Sequence, residues 1–292
     1  MSAGPTGGAD PRLRPPRVAA WLERLPATAA LLAAALFAGL PLLWLASSAL
    51  KRPDEITRLP PVWLPGQPSL DAFAEAFRLL PLGNAFLNSF LIAGVSTAAV
   101  VATSTAAGWA FAIYRFRGRE QLFLLLLATM FVPPIATLVP LYWLVQSAGL
   151  LDSLVGVLVP QLANAFGIFL IRQFARGVPR ELIDAARADG ASEWRILVSV
   201  GVPLMRPAIA TLAMFAFVFY WNAYLWPLVV LQSPDHYTVV LVVNQLLSYT
   251  TAVRYAPVIY AGTLLAIIPN VVLFLFVRRA YADVGFSSAV KG

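Results

Sequence analysis

The chain has 292 residues, of which 60% are hydrophobic and only 12% charged, against about 25% charged in an ordinary soluble domain. That composition excludes a water-soluble globule, and Pro and Gly dispersed among long apolar runs exclude disordered and collagen-like chains. The net charge of +7 would suggest nucleic acid or acidic lipid as a partner in a soluble chain, and the absence of Cys removes disulfides, thiolate metal sites and cysteine nucleophiles.

Crossing a hydrocarbon core of about 30 Å takes roughly 20 helical residues. Residues 1–24, rich in Gly, Pro and Arg, read as a disordered leader. Six charge-free stretches then follow: Leu25 to Leu50, Leu79 to Tyr114, Gln121 to Leu151, Ser153 to Ile171, Pro207 to Pro234 and Tyr255 to Val277. The first far exceeds the apolar segment of a secretory signal, which favours a retained helix. The second is too long for one straight span, and Pro81-Leu82-Gly83-Asn84 marks an expected loop before its helix. Tyr237 to Val253 is uncharged but carries Asn244, Gln245, Ser248, Tyr249, Thr250 and Thr251, and is expected outside the membrane core. The fold class is therefore all-α, a polytopic membrane protein with six transmembrane helices spread over residues 25–280, followed by a tail at 281–292.

Orientation follows from the basic residues. The leader, the loop after span two (Arg115, Arg117, Arg119), the loop after span four (Arg172, Arg176, Arg180, Arg187, Arg195, Arg206) and the tail (Arg278, Arg279, Lys291) hold sixteen Lys and Arg. Five lie on the other side: Lys51, Arg52, Arg58, Arg78 and Arg254. The positive-inside bias puts the first set, and with it both termini, in the cytoplasm.

The predicted spans contain no Asp, Glu, Lys, Arg or His. Proton-driven carriers place such groups in the membrane because they are costly there and therefore functional, so their absence argues against a stand-alone ion-coupled secondary transporter. That class stays as the alternative, since sodium sites can be built from backbone carbonyls. His236, beside Pro234 and Asp235, reads as a solvated turn residue, and neither metal catalysis nor a Ser-His-Asp arrangement has support. Lys51 and Lys291 are the only lysines and neither sits in a P-loop, so any ATP that drives this chain is hydrolysed by another polypeptide. Proline punctuates the spans at Pro41, Pro133, Pro134, Pro140, Pro160, Pro227 and Pro269, as ordinary kinks or as pathway lining. In span five, Tyr220, Trp221, Asn222 and Tyr224 form an amide among aromatic faces. That is a surface for a polyhydroxylated solute, or an interfacial belt with Asn222 bonded to a neighbouring helix.

The most informative segment is the loop 177–206. Pro179 suits a helix start, and Glu181 and Asp184 lie near its positive end. Gly190 suits the left-handed residue that stops it, and Ser192 can cap a second helix leading to Pro203. Ala185, Ala186 and Ala188 keep the surface low enough for another protein's backbone to approach. Acids and arginines nearly cancel, which fits a docking surface better than a nucleic-acid patch.

This segment resembles the EAA loop of the permease subunits of binding-protein-dependent ABC importers. Asp184-Ala185-Ala186, Gly190 after three residues, and Val200-Gly201-Val202-Pro203 after nine more match its spacing without a gap. Asp184, Val200 and Val202 replace Glu, Ile and Leu of the pattern. Asn88-Ser89, Arg115-Phe116-Arg117-Gly118, Pro140-Leu141-Tyr142, Phe169 to Phe174, Trp221-Asn222 and the terminal Ala289-Val290-Lys291-Gly292 are similar to the carbohydrate-type, maltose-type second permeases. The resemblance implies a permease that moves a sugar or related polyhydroxylated solute across a bacterial cell membrane. Glu181, Asp184, Ala185, Ala186 and Gly190 would form a coupling helix between spans four and five, docked on the ATPase, with Val200, Val202 and Pro203 joining it to span five. It also implies three partners: a second permease, an ATP-binding cassette ATPase dimer carrying the ATP and Mg, and an extracytoplasmic solute-binding protein.

Overall fold

A computed structural model describes residues 17–249 and 253–289, with side chains in 26–246 and 254–276. Among the described residues every regular element is helical. Helix α1 (Arg17–Ala49) is followed by the short α2 (Pro53–Ile56) and α3 (Asp71–Leu79). Then comes α4 (Leu82–Ile113), whose 32 residues make it about 48 Å long at about 1.5 Å per residue. The loop expected through Asn84 is therefore shorter: Leu80 and Pro81 alone separate α3 from α4.

Two expected spans, the third and the fourth, are sharply bent, and a third bend separates the second helix of the 177–206 loop from span five. α5 (Arg119–Ala128) runs into a 3₁₀ turn, Thr129–Phe131, and then α6 (Pro134–Ser147) departs at 100°. The cause is local, because Pro134 forces Pro133 out of helical geometry, to φ −60°, ψ 131°. α7 (Leu154–Leu158), extended by a 3₁₀ turn at Val159–Gln161, meets α8 (Ala165–Ala175) at 41°. After α9 (Arg180–Ala188), the stretch formed by α10 (Glu193–Ile196), a π segment Leu197–Gly201 and α11 (Val202–Leu204) meets α12 (Arg206–Trp221) at 82°. α12 stops at Trp221, so the expected fifth span is broken before α13 (Leu225–Val230). α14 (Val239–Tyr249) and α15 (Ala256–Ala289) complete the order. Pro26–Ala49, Leu82–Ile113 and Ala256–Phe276 are long and apolar enough to cross a membrane singly, and the three bent pairs bring the candidate spans to as many as six.

At both ends the helices run further than expected. α1 starts at Arg17, inside the expected leader, and α15 continues through the expected tail to Ala289. Residues 1–16 of that leader and 290–292 of that tail lie outside the described residues. The polar segment after Tyr237 supplies α14, whose 11 residues are too few to cross about 30 Å. It buries Val239, Leu241, Val242 and Val243 against its neighbours α4 and α15.

α4 is the axis of the core, flanked by α8 and α12. The approach to α8 is close because α4 presents small residues: a Cβ on Gly108 would lie 2.8 Å from Ile171 Cβ and 2.9 Å from the Arg172 nitrogen. The C-terminal turn of α8 is locked to α5 by Arg172, a residue expected in a loop but only 3% exposed. Its Nη2 donates to both Glu120 oxygens at 2.8 and 2.7 Å, its Nε donates to the Phe111 carbonyl, and its guanidinium lies 3.7 Å over the Phe123 ring. A cation taken this far from water requires that many partners.

Candidate coupling surface and solute cleft

The 177–206 loop folds as a short helix, a turn and a second helix. Pro179, at φ −58° and ψ 129°, precedes α9 with Glu181 in its first turn. Gly190 has φ +78°, which side-chain-bearing residues rarely adopt, and its N–H donates to the Arg187 carbonyl. Ser192 Oγ then accepts from the Arg195 N–H and caps α10. The charges pair inside the loop. Arg187 donates to Glu193 Oε1 at 2.7 Å and Oε2 at 3.1 Å, and to Asp184 Oδ1 at 3.3 Å. Glu181, Asp184, Ala185 and Gly190 are exposed, while Ala186, Val200, Val202 and Pro203 are half-buried. Ile183 and Ile196 anchor the loop in the core. Leu182 on α9 and Trp194 on α10 stand 47% and 69% exposed, large apolar side chains among charges of the kind that a protein partner covers.

A cleft of about 650 Å³ opens where the bent spans meet. Pro134, Thr137, Pro160, Gln161 and Asn164 line it opposite Tyr220, Asn222 and Tyr224. The helix breaks make it, because a continuous span would have filled the space. Of the four aromatic-segment residues, Trp221 is placed elsewhere: it is 1% exposed, stacks on Phe217 and donates its Nε1–H to the Ala266 carbonyl at 3.0 Å. Tyr220 is buried at the cleft wall and donates to the Gln161 carbonyl at 3.2 Å. Asn222 is exposed, and its Oδ1 accepts from Asn270 on α15 at 3.2 Å, so this amide is bonded to a neighbouring helix. Tyr224 is the exposed aromatic. Among the described residues no group of three or more His, Asp or Glu is arranged to hold a metal.

Residues 99–284 match the family described as the binding-protein-dependent transport system inner membrane component. The chain belongs to that family. It is 35% identical over 254 residues to the lactose transport system permease protein of Rhizobium radiobacter, covering 86% of this chain and 90% of that protein. It is 34% identical over 207 residues to the arabinooligosaccharides transport system permease protein of Bacillus subtilis strain 168, covering 71% and 73%. With the sn-glycerol-3-phosphate transport system permease protein of Yersinia pestis it shares 32% over 199 residues, covering 68% and 71%. Among solved structures it is similar to a chain in the crystal structure of a bacterial ABC transporter involved in the import of the acidic polysaccharide alginate. That likeness has a TM-score of 0.78 at 22% identity and covers 91% of this chain and 98% of that one, and it concerns the fold.

One constellation of this inner membrane component is absent from the sequence reading. Asp152, at φ +51°, lies between the expected third and fourth spans and captures a distant loop. Its Oδ1 accepts from the Gln232 and Ser233 N–H groups at 2.8 Å each, and Oδ2 accepts from Ser233 Oγ. His236 Nδ1 stands 3.2 Å away, so that histidine is partnered rather than simply solvated. The Ser233 hydroxyl, then the two backbone donors, hold the Asp152 carboxyl well below the usual carboxylate range. The next residues of the loop are held by α4: Asn88 Nδ2 donates to the Asp235 and Tyr237 carbonyls at 2.8 and 3.1 Å, and Ser89 Oγ accepts from the Val239 N–H at 2.8 Å. Asn88-Ser89 carried part of the family resemblance, but only the fold shows that the pair clamps a loop.

Proposed function

We propose that this inner membrane component is the permease subunit of an ATP-driven importer of a sugar or related polyhydroxylated solute. Both termini and the 177–206 loop face the cytoplasm, and α9 is the coupling helix. The observation that carries this reading is the α9–Gly190–α10 element, its charges paired largely within itself, with Leu182 and Trp194 exposed on it. Leu182, Trp194, Ala185 and Ala186 offer the contact, and Asp184 and Arg187 offer charge. The loop connects directly to Pro203 and the elbow before α12. ATP and Mg belong to a separate ATPase dimer, and this chain moves rather than performs bond chemistry. A second permease completes the pathway, and an extracytoplasmic binding protein delivers the solute.

The solute class is supported by relatives whose names specify lactose, arabinooligosaccharide and sn-glycerol-3-phosphate transport. The cleft is chemically consistent with such solutes, since Tyr224 offers an aromatic face and Gln161, Asn164 and Asn222 offer amides. The test is reconstitution in proteoliposomes of the chain with its ATPase, second permease and binding protein. ATP-dependent accumulation of lactose, an arabinooligosaccharide or glycerol phosphate is the expected result. Accumulation by the purified chain alone, under an ion gradient without ATP, contradicts it.

A further inference from the structure

Beyond α10 the chain does not continue as an ordinary helix. Leu197–Gly201 is a π segment, a rare arrangement frequently found at functional sites. Gly201 is buried there, and a Cβ on it would stand 2.8 to 3.0 Å from three carbons of the Trp109 indole. The backbone of the π segment therefore rests directly on that ring. Trp109 belongs to α4, is 1% exposed, and shares its core with Ile183, Ile196, Leu197 and Met205. The covalent continuation is different in kind. At Met205, with φ −96° and ψ 7°, the chain turns through 82° into α12, and Pro207 gives no N–H to the helical ladder there. An elbow yields by rotating backbone dihedrals, whereas a packed contact without free space transmits displacement.

We propose that Gly201 and Trp109 are positioning residues that pass movement of the coupling loop into α4. From α4 the movement spreads through its packing with α8 and α12 to the cleft, which the end of α12 and the segment just before α8 line. This rests on the reading of the loop as the ATPase-docking element and goes beyond it, because docking needs neither residue. A side chain on Gly201 would lift the π segment off the indole and leave the exposed face of α9 and α10 unchanged.

The chain lacks cysteine, so Thr137→Cys places a single thiol of nearly unchanged volume in the cleft. Its labelling by a membrane-impermeant maleimide is read on this chain in the assembled complex, with and without ATP plus vanadate. The expected nucleotide-dependent change in labelling rate falls by at least about fivefold in Gly201→Leu, while the ATPase still co-purifies. Gly201→Ala gives an intermediate loss, and adding Trp109→Ala to Gly201→Leu restores most of the response by making room. A full response in Gly201→Leu overturns the proposal. So does a double variant no better than the single one. Loss of ATPase co-purification in the otherwise unaltered complex overturns the docking reading instead, and with it the basis of this one.

Discussion

The coupling loop and the 231–239 loop are both polar segments joined to apolar helices, yet they are secured by opposite means. In the first, Arg187 pairs with Asp184 and Glu193, Ser192 caps its own helix, and Gly190 turns the chain, all within the loop. In the second, Asp152 and Asn88 reach in from remote parts of the sequence to hold Gln232, Ser233, Asp235 and Tyr237. A segment stabilised largely from within can move as one body; its footing in the bundle is Ile183 and Ile196 in the core and one polar tie, from the Tyr114 hydroxyl at the end of α4 to Glu193. A segment tied to two other elements keeps them in register. The first suits transmission of movement and the second suits resistance to it.

Breaking the self-contained turn has the largest expected effect. Proline cannot reach the φ of +78° at Gly190, nor supply the N–H given to Arg187. Gly190→Pro should abolish co-purification with the ATPase and solute uptake together while membrane insertion is retained. The remote clamp gives a smaller loss. Asn88 is nearly buried and makes two hydrogen bonds, so Asn88→Ala should destabilise the loop by about 1 to 2 kcal/mol. This is measurable as faster amide exchange or proteolysis in 231–239, with ATPase binding unchanged.

The Asp152 clamp has a pH signature. Its carboxyl is held below its ordinary value, so its contribution is complete above the unfolded value near about 3.9 and fades as pH falls through that value towards the lower folded one. Protection of the Gln232 and Ser233 amides, corrected for intrinsic exchange, should stay level down to about pH 5 and fall below about pH 4. Asp152→Ala should remove the protection at every pH. The smallest effect belongs to Asp184, whose pair with Arg187 is exposed and shared with a closer Glu193. Asp184→Ala should leave the loop's helix content and thermal stability within about 0.5 kcal/mol of the unaltered chain, so any loss of ATPase affinity reports the partner contact itself.

This contrast also explains what the sequence disclosed. The coupling loop was legible because each instruction lies within a few residues of its effect: Pro179, Gly190 and Ser192 all stand where the start, stop and cap were expected. Charge-free runs located the apolar stretches, but they measure length and not direction. Prolines marked Pro133 and Pro134 as kinks, but the 100° size of that bend and the break at Leu162 to Asn164 stayed hidden, and with them the cleft. Trp221 and Asn222 are adjacent in sequence, yet the end of α12 sends one into the core and the other to the cleft. Asp152 gave no signal at all, because its partners lie about eighty residues away. The π segment on Trp109 was equally silent, since Gly201 between two valines reads as any small residue in a helix.

The central claim is that force enters this bundle through the exposed face of α9. The direct measurement is photocrosslinking in native membranes from a reactive amino acid at Ala186, compared with one at Gln232 in the clamped loop. The account predicts a crosslink to a nucleotide-binding cassette subunit from position 186 that changes in yield on ATP and vanadate addition, and none from position 232. Capture of no such subunit at 186, or equal capture at both positions, would contradict it.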